Sequence, residues 1–298
     1  DGTETENFTP GIELHAKQTV FSEGSRGSLT KVLFDKFNLR SDADPQTYAI
    51  GINELWEVEP EKLENKVLEL RENNILGSCV TLPHKKSVIS FIDELDESAE
   101  EMDAVNWIVN NNGILVGYNT DWIGFTESLK FYEKKIQDKN CLILGAGGSA
   151  KAICMALIKG NAKTIDVYNR TVENTKKFLE NFDKQRLSIG ILNSNQINNP
   201  HFINSYDLVI NTTSVGMSGG PAPNISPINT DNINRRALCY DLVYSPEITP
   251  FIQSAKNNNI ETIGGLAMLV FQAIKGFELV TKQKAPIKKM LEAVGIKK

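Results

Sequence analysis

Short, nearly unbroken apolar runs alternate along this chain with stretches whose apolar residues return every third or fourth position. The runs 140–144, 164–168, 207–211, 237–243 and 261–263 have the length and residue types of buried strands. Between and after them, Lys151–Lys159, Thr171–Asn181, Leu266–Leu279 and Pro286–Val294 carry helical spacing. Strands alternating with helices predict an α/β architecture with a parallel sheet. The polar stretches 193–200 and 218–234, rich in Asn, Ser and Pro, read as loops.

The first 131 residues are patterned differently. Gln18–Phe21 and Thr47–Ile52 read as strands and Leu29–Phe37 as a helix. Pro60–Asn73 is an amphipathic helix with Leu63, Val67 and Leu70 on one face. Leu76–Leu82 is a strand closed by Pro83, and Val88, Phe91, Ile92 and Leu95 give His84–Leu95 a helical period. Ala104–Val109 and Ile114–Tyr118 form a hairpin across Asn110-Asn111-Asn112-Gly113. Asp121 then opens a helical pattern, Ile123–Phe131.

The run 140–144 feeds at once into Gly145-Ala146-Gly147-Gly148-Ser149-Ala150, and a helix follows. Strand, glycine turn and helix in that order suit a dinucleotide pyrophosphate. Gly145 permits the tight turn, Gly147 lets the backbone approach phosphate, and Ala150 packs helix on strand. The helix N-terminus turns its free N–H groups to the anion. The bland reading is a structural turn with no ligand. At the end of the run 164–168, where an NAD enzyme usually carries an acid, stand Asn169, Arg170 and Thr171. An arginine there suits the 2′-phosphate of NADP; otherwise it is a solvated strand-end residue.

Composition narrows the classes without choosing among them. At 298 residues the chain suits two domains. A net charge of −5 argues against nucleic acid as main partner and offers no basic membrane face. No apolar run approaches a bilayer-spanning length. Asp1–Pro10 is acidic and polar, a lead-in unlike a secretory signal. Cys79, Cys141, Cys154 and Cys239 read as small buried hydrophobes of a reducing, cytoplasmic compartment. His15, His84 and His201 share no metal-ligand spacing, so no metal is expected.

Two residues carry candidate proton chemistry. The helical period starting at His84 puts Lys85 in a first turn, where the helix dipole favours loss of its proton; the alternative is a solvated lysine beside Lys86. Asp121 is either an N-cap or a catalytic carboxylate.

The segments together resemble the shikimate dehydrogenase family. The matching motifs are Val-Thr-x-Pro-x-Lys at 80–85, Ala-Val-Asn at 104–106 and Gly-Tyr-Asn-Thr-Asp at 117–121. Gly-Ala-Gly-Gly-x-Ala at 145–150, Asn-Arg-Thr at 169–171 and Asn-Thr-Thr-x-x-Gly-Met at 211–217 continue the series. It ends with Asp-Leu-Val-Tyr-x-Pro-x-x-Thr-Pro at 241–250, Gly264 and Gln272.

The resemblance implies a substrate domain at 11–122, completed by C-terminal helices over 266–298, and a doubly wound Rossmann-type NADP domain at 123–265. It implies a catalytic pair, Lys85 and Asp121, acting on a small cyclic polyol carboxylate. Thr81, Asn106 and Gln272 would grip ring hydroxyls and Tyr244 would lie near the substrate. Thr212, Thr213, Met217 and Gly264 would join the glycine turn around the cofactor, in a monomer or homodimer. The reaction implied is reversible reduction of 3-dehydroshikimate. A relative acting on quinate or an amino analogue, or a non-catalytic NADP-binding module, is the alternative.

One region departs from the family. Its Ser-x-Ser-Pro and following His-Asn, whose serines hold the substrate carboxylate, correspond here to residues 21–31. Aligned on Phe34, Gly24 and Arg26 take the serine positions; a small shift restores Ser25 and Ser28. Arg26 is then a carboxylate anchor or a solvated loop residue.

Overall fold

The computed structural model describes residues 62–72, 75–81, 83–180, 182 and 189–297. The elements expected before residue 60, with Ser25, Arg26 and Ser28, lie outside these.

Helix α1 (Leu63–Glu72) buries Leu63, Val67 and Leu70, one stripe at helical spacing. After it come β1 (Gly77–Cys79), a short 3₁₀ helix (Ser87–Phe91), β2 (Glu94–Leu95) and α2 (Glu97–Met102). Strands β3 (Trp107–Asn111) and β4 (Ile114–Tyr118) form the expected hairpin. Its two turn residues, Asn112 and Gly113, both take positive φ (55° and 95°), the turn that follows strand twist. These strands make a four-stranded sheet ordered β1-β3-β4-β2, with only β2 and β4 parallel. Leu63, Val67, Leu70, Val88, Ala99, Val105, Ile108 and Leu115 form its core.

The helix expected over 84–95 is absent. Asp93 instead accepts from the Leu115 N–H at 2.7 Å, and Glu94–Leu95 pair with Val116–Gly117. Gly117 has no Cβ because Ile92, Leu95 and Val105 occupy that space; an added Cβ would lie 2.5 Å from Ile92 Cδ1. The apolar spacing thus serves a 3₁₀ turn and a strand. The strand expected over 76–82 is likewise confined to β1.

Helix α3 (Asp121–Phe131) leads to the second sheet. Its elements are β5 (Asn140–Leu144), α4 (Gly148–Lys159), β6 (Thr164–Tyr168), α5 (Val172–Leu179) and β7 (Ile189–Leu192). The one-turn helices α6 (Ser194–Ile197) and α7 (Pro200–Ile203) follow, where a loop was expected; Asn193 and Asn199 cap them. Then come β8 (Leu208–Asn211), β9 (Leu238–Asp241), α8 (Pro250–Asn257), β10 (Glu261–Ile263), α9 (Leu266–Thr281) and α10 (Ile287–Ala293).

The second sheet is wholly parallel, ordered β10-β9-β8-β5-β6-β7. This is the doubly wound order, with the direction of winding reversing between β5 and β8. Alternate residues supply opposite faces: Cys141, Ile143, Ile165, Val167 and Ile210 join one core, and Leu142, Leu144, Val209 and Cys239 the other. Both faces being covered explains the unbroken apolar runs. Burial pushes the thiols of Cys141, Cys154 and Cys239 up to about 12, so they act as packing groups. Cys79, by contrast, is exposed.

Helices α3 and α9 cross closely because α3 carries Gly124 at the contact. A Cβ there would lie 2.8 Å from Gln272 Cβ and from the Met268 carbonyl oxygen. The crossing brings Gln272 to the start of α3. Among the described residues no helix is long and apolar enough to cross a membrane.

Candidate active site

Lys85 and Asp121 meet. Lys85 Nζ donates to Asp121 Oδ2 at 2.6 Å, and both side chains are largely covered (22% and 14% exposed). Lys86 faces elsewhere: 75% exposed, it pairs with Asp103. The two neighbouring lysines are therefore distinct, and the pair is no ordinary surface contact. No α-helix begins at Lys85, so the dipole argument lapses; the lysine sits in a turn, its carbonyl oxygen accepting from Val105 N–H at 2.7 Å.

Asp121 is not the N-cap of α3; Thr120 holds that position. The Asp121 N–H donates to Asn119 Oδ1, which leaves the carboxylate free to face Lys85 and Asn106. At the first turn of α3 the helix dipole also favours its negative charge. Asn106 is buried and donates through Nδ2 to Asp121 Oδ1 at 2.9 Å, while its Oδ1 accepts from Thr120 N–H at 2.8 Å. Gln272 enters the same cluster from α9, its Oε1 facing Asn106 Nδ2 at 3.3 Å and Trp107 Nε1 at 3.2 Å. Four segments far apart in sequence thus hold one lysine–carboxylate pair.

The structure adds residues that spacing did not single out. Asn119 ties the turn before α3 to α2 and to the Ala104 carbonyl. Thr120 donates to the Gln272 carbonyl at 3.0 Å. Both lie inside the Gly-Tyr-Asn-Thr-Asp motif, which was their only sequence signal; Trp107 had none. Of the remaining candidates, Thr81 is exposed, its carbonyl accepting from His84 N–H. Tyr244 (52%) and Met217 (38%) are exposed.

The glycine turn lies at the C-terminal end of β5, beside the reversal point of the sheet. Gly145 has φ +112°, and a Cβ there would lie 2.6 Å from Thr212 Oγ1. Gly147 and Gly148 are the opposite case, since an added Cβ on either would meet nothing within 4 Å. Neither packing nor φ demands glycine at these two positions. The open space beside them leaves the backbone accessible. Gly147 caps α4 without any side-chain hydrogen bond, leaving helix N–H groups for an anion. Ala150 is fully buried, as the third small residue should be.

Around the turn, Thr212 Oγ1 donates to the Leu144 carbonyl at 2.8 Å and Thr213 Oγ1 to Asn211 Oδ1 at 2.7 Å. Asn211 donates in turn to buried Asp241. Burial pushes the Asp241 carboxyl up to about 6 against the hydrogen bonds from Thr249, Val243 and Asn211. Asn169 closes the turn after β6 through the Thr171 carbonyl, and Arg170 is exposed beside it. Gly264 would tolerate a side chain, whereas a Cβ on Gly265 would run into the Leu242 carbonyl. The uncapped helix end, the open glycines and the basic strand end together fit NADP. Among the described residues no cluster of His, Cys, Asp and Glu could hold a metal ion.

Comparison with known proteins identifies relatives of the chain. The family model of the shikimate dehydrogenase substrate-binding domain matches residues 47–108. That of shikimate / quinate 5-dehydrogenase matches residues 128–268. A shikimate dehydrogenase (NADP(+)) of Caldanaerobacter subterraneus is 39% identical over 78% of this chain and 81% of its own. A crystal structure of shikimate 5-dehydrogenase from Listeria monocytogenes with shikimate and NAD superposes with a TM-score of 0.73. It is 29% identical over 80% of this chain and 84% of that one. The Thermus thermophilus enzyme with NADP(H) and shikimate gives a TM-score of 0.70 at 29% identity, covering 80% and 85%. The chain belongs to the shikimate dehydrogenase family.

Proposed function

We propose that this chain reversibly reduces 3-dehydroshikimate to shikimate with NADP, and that Lys85 and Asp121 handle the hydroxyl proton. The observation that carries the reading is the shielded 2.6 Å contact between Lys85 and Asp121. NADPH, when bound, would supply the hydride for the ring carbonyl carbon. Lys85 gives its proton to the carbonyl oxygen in the reductive direction and accepts it back in the oxidative one. Asp121 holds the lysine in place and takes a hydrogen bond from the same hydroxyl. Asn106 fixes the carboxylate through its other oxygen, so the pair is oriented before substrate binds.

Gln272, Asn106 and Thr81 grip the ring hydroxyls, and Tyr244 lies beside the substrate. The glycine turn and Ser149 would hold the pyrophosphate, Arg170 the 2′-phosphate, and Thr212, Thr213, Met217 and Gly264 the nicotinamide side. Residues 11–122 with 266–298 form the substrate domain and 123–265 the NADP domain. Ser25, Ser28 or Arg26 anchors the carboxylate. The names carried by the curated relatives favour shikimate over quinate or an amino analogue, and an enzyme over a binding module. Assaying shikimate and quinate with NADP and with NAD tests the reading. Turnover of shikimate with NADP is expected; none with either acid would overturn it.

A further inference from the structure

Trp107 and Gln272 stand 165 positions apart, yet the indole N–H donates to Gln272 Oε1 at 3.2 Å. The hydrogens in this cluster are limited. Asn106 Nδ2 has two, but three acceptors lie within reach: Asp121 Oδ1, Thr120 Oγ1 and Gln272 Oε1, the last being the farthest at 3.3 Å. The single Thr120 hydroxyl hydrogen has the Gln272 carbonyl at 3.0 Å, with Oε1 at 3.4 Å. The indole N–H is thus the donor best committed to Gln272 Oε1.

That commitment fixes which end of the amide faces outward. Turning Gln272 over would set its NH₂ against two other donors, Asn106 Nδ2 and Trp107 Nε1. With Oε1 held inward, Nε2 donates one hydrogen to the Leu269 carbonyl at 3.0 Å. One N–H remains. The seat for the indole is made by Gly276 on α9, where a Cβ would lie 1.9 Å from Trp107 Cε2. One turn of α9 therefore carries both the amide and the gap that admits its partner.

We propose that Trp107 is a positioning residue that makes Gln272 present an N–H to the substrate, so that the site selects a ring oxygen able to accept a hydrogen bond. This rests on Gln272 being a substrate contact. The test compares Trp107→Phe, Gln272→Ala and the double variant in the full chain. Trp107→Phe keeps an aromatic ring at this position and removes the N–H together with part of the indole that packs on Gly276. It should raise KM for shikimate about three- to tenfold, with kcat and the KM for NADP nearly unchanged. Gln272→Ala should raise the same KM, and the double variant should be no worse than Gln272→Ala alone.

An unchanged KM in Trp107→Phe beside a raised one in Gln272→Ala would overturn the proposal and leave the substrate contact standing. Effects that simply add in the double variant would also overturn it. An unchanged KM in Gln272→Ala would sink both. Should Trp107→Phe fail to fold, exchange of the Trp107 indole proton decides: it should be slow in the parent chain and fast in Gln272→Ala, and equal rates would refute the bond.

Discussion

Gly145 packs directly against Thr212, with no room for a side chain between them: a Cβ on the glycine would stand 2.6 Å from the threonine Oγ1. The contact joins the ends of β5 and β8, where the sheet reverses its winding, the point at which open α/β sheets generally bind their ligands. Gly147, two residues on, faces open space. Two glycines of one motif are therefore there for different reasons, and substitution separates them.

Gly145→Ala should lower thermal stability, because it adds a clash to a backbone at φ +112° that L-residues rarely adopt; such strain costs about 1–3 kcal/mol. Gly147→Ala should leave the melting temperature nearly unchanged and weaken NADP binding. Calorimetric melting paired with NADP titration reads both effects. A destabilised Gly147→Ala with parental NADP affinity would contradict the assignment of the open face to phosphate.

Lys85→Ala should cost about 100- to 10,000-fold in kcat, the usual contribution of a general acid–base group. NADP affinity should stay at the parental level, since the lysine pairs with Asp121 and not with the glycine turn. Steady-state kinetics with shikimate and a separate cofactor titration check the two halves. Retained turnover would return Lys85 to the status of an ordinary paired lysine.

The second sheet was legible because its strands are buried on both faces and its helices keep one period. The glycine turn was legible because Gly145 and Ala150 answer to local demands, a positive φ and close helix packing. The stretch 84–95 is ambiguous in sequence, because Val88, Phe91, Ile92 and Leu95 satisfy a helix as well as a turn followed by a strand. What chose between them was Gly117 on β4 and the Leu115 N–H on Asp93, both remote in sequence. The same holds for the site. Lys85 and Asp121 could be nominated from their motifs, but the part proposed for Trp107 depends on Gly276 and Gln272, in a helix far along the chain.

Burial of Asp241 predicts a pH dependence of stability. Its folded pKa of about 6 lies above the 3.8 of an unperturbed aspartate, so the native state holds its proton more tightly than the unfolded chain. Its contribution is therefore fully present below about pH 4 and is lost as pH rises toward 6. The loss amounts to about 3 kcal/mol at most. Asp241→Asn, which keeps an oxygen for Asn211 and Val243, should abolish that part of the slope. Urea unfolding between pH 4 and 7 measures it; identical slopes in parent and variant would show that Asp241 stays ionised in the fold.

Arg170 should decide between the two nicotinamide cofactors. It is exposed at the end of β6, in the turn that Asn169 closes through the Thr171 carbonyl, where an NAD enzyme usually offers a carboxylate to the ribose hydroxyls. A guanidinium there can make charge-assisted hydrogen bonds to a 2′-phosphate and has little to offer a 2′-hydroxyl. Removing bonds to a charged group costs about 1.5–3 kcal/mol, or roughly one to two decades in affinity. Solvent exposure places the expected effect at the lower end. Arg170→Ala should therefore raise KM for NADP about tenfold, leave KM for NAD unchanged, and leave kcat with saturating NADP nearly intact, because the 2′-phosphate is remote from the reacting carbon. Arg170→Asp should go further and reverse the preference, since a carboxylate repels the phosphate and accepts from the ribose. Equal losses with both cofactors would mean that Arg170 supports the turn and does not read the phosphate.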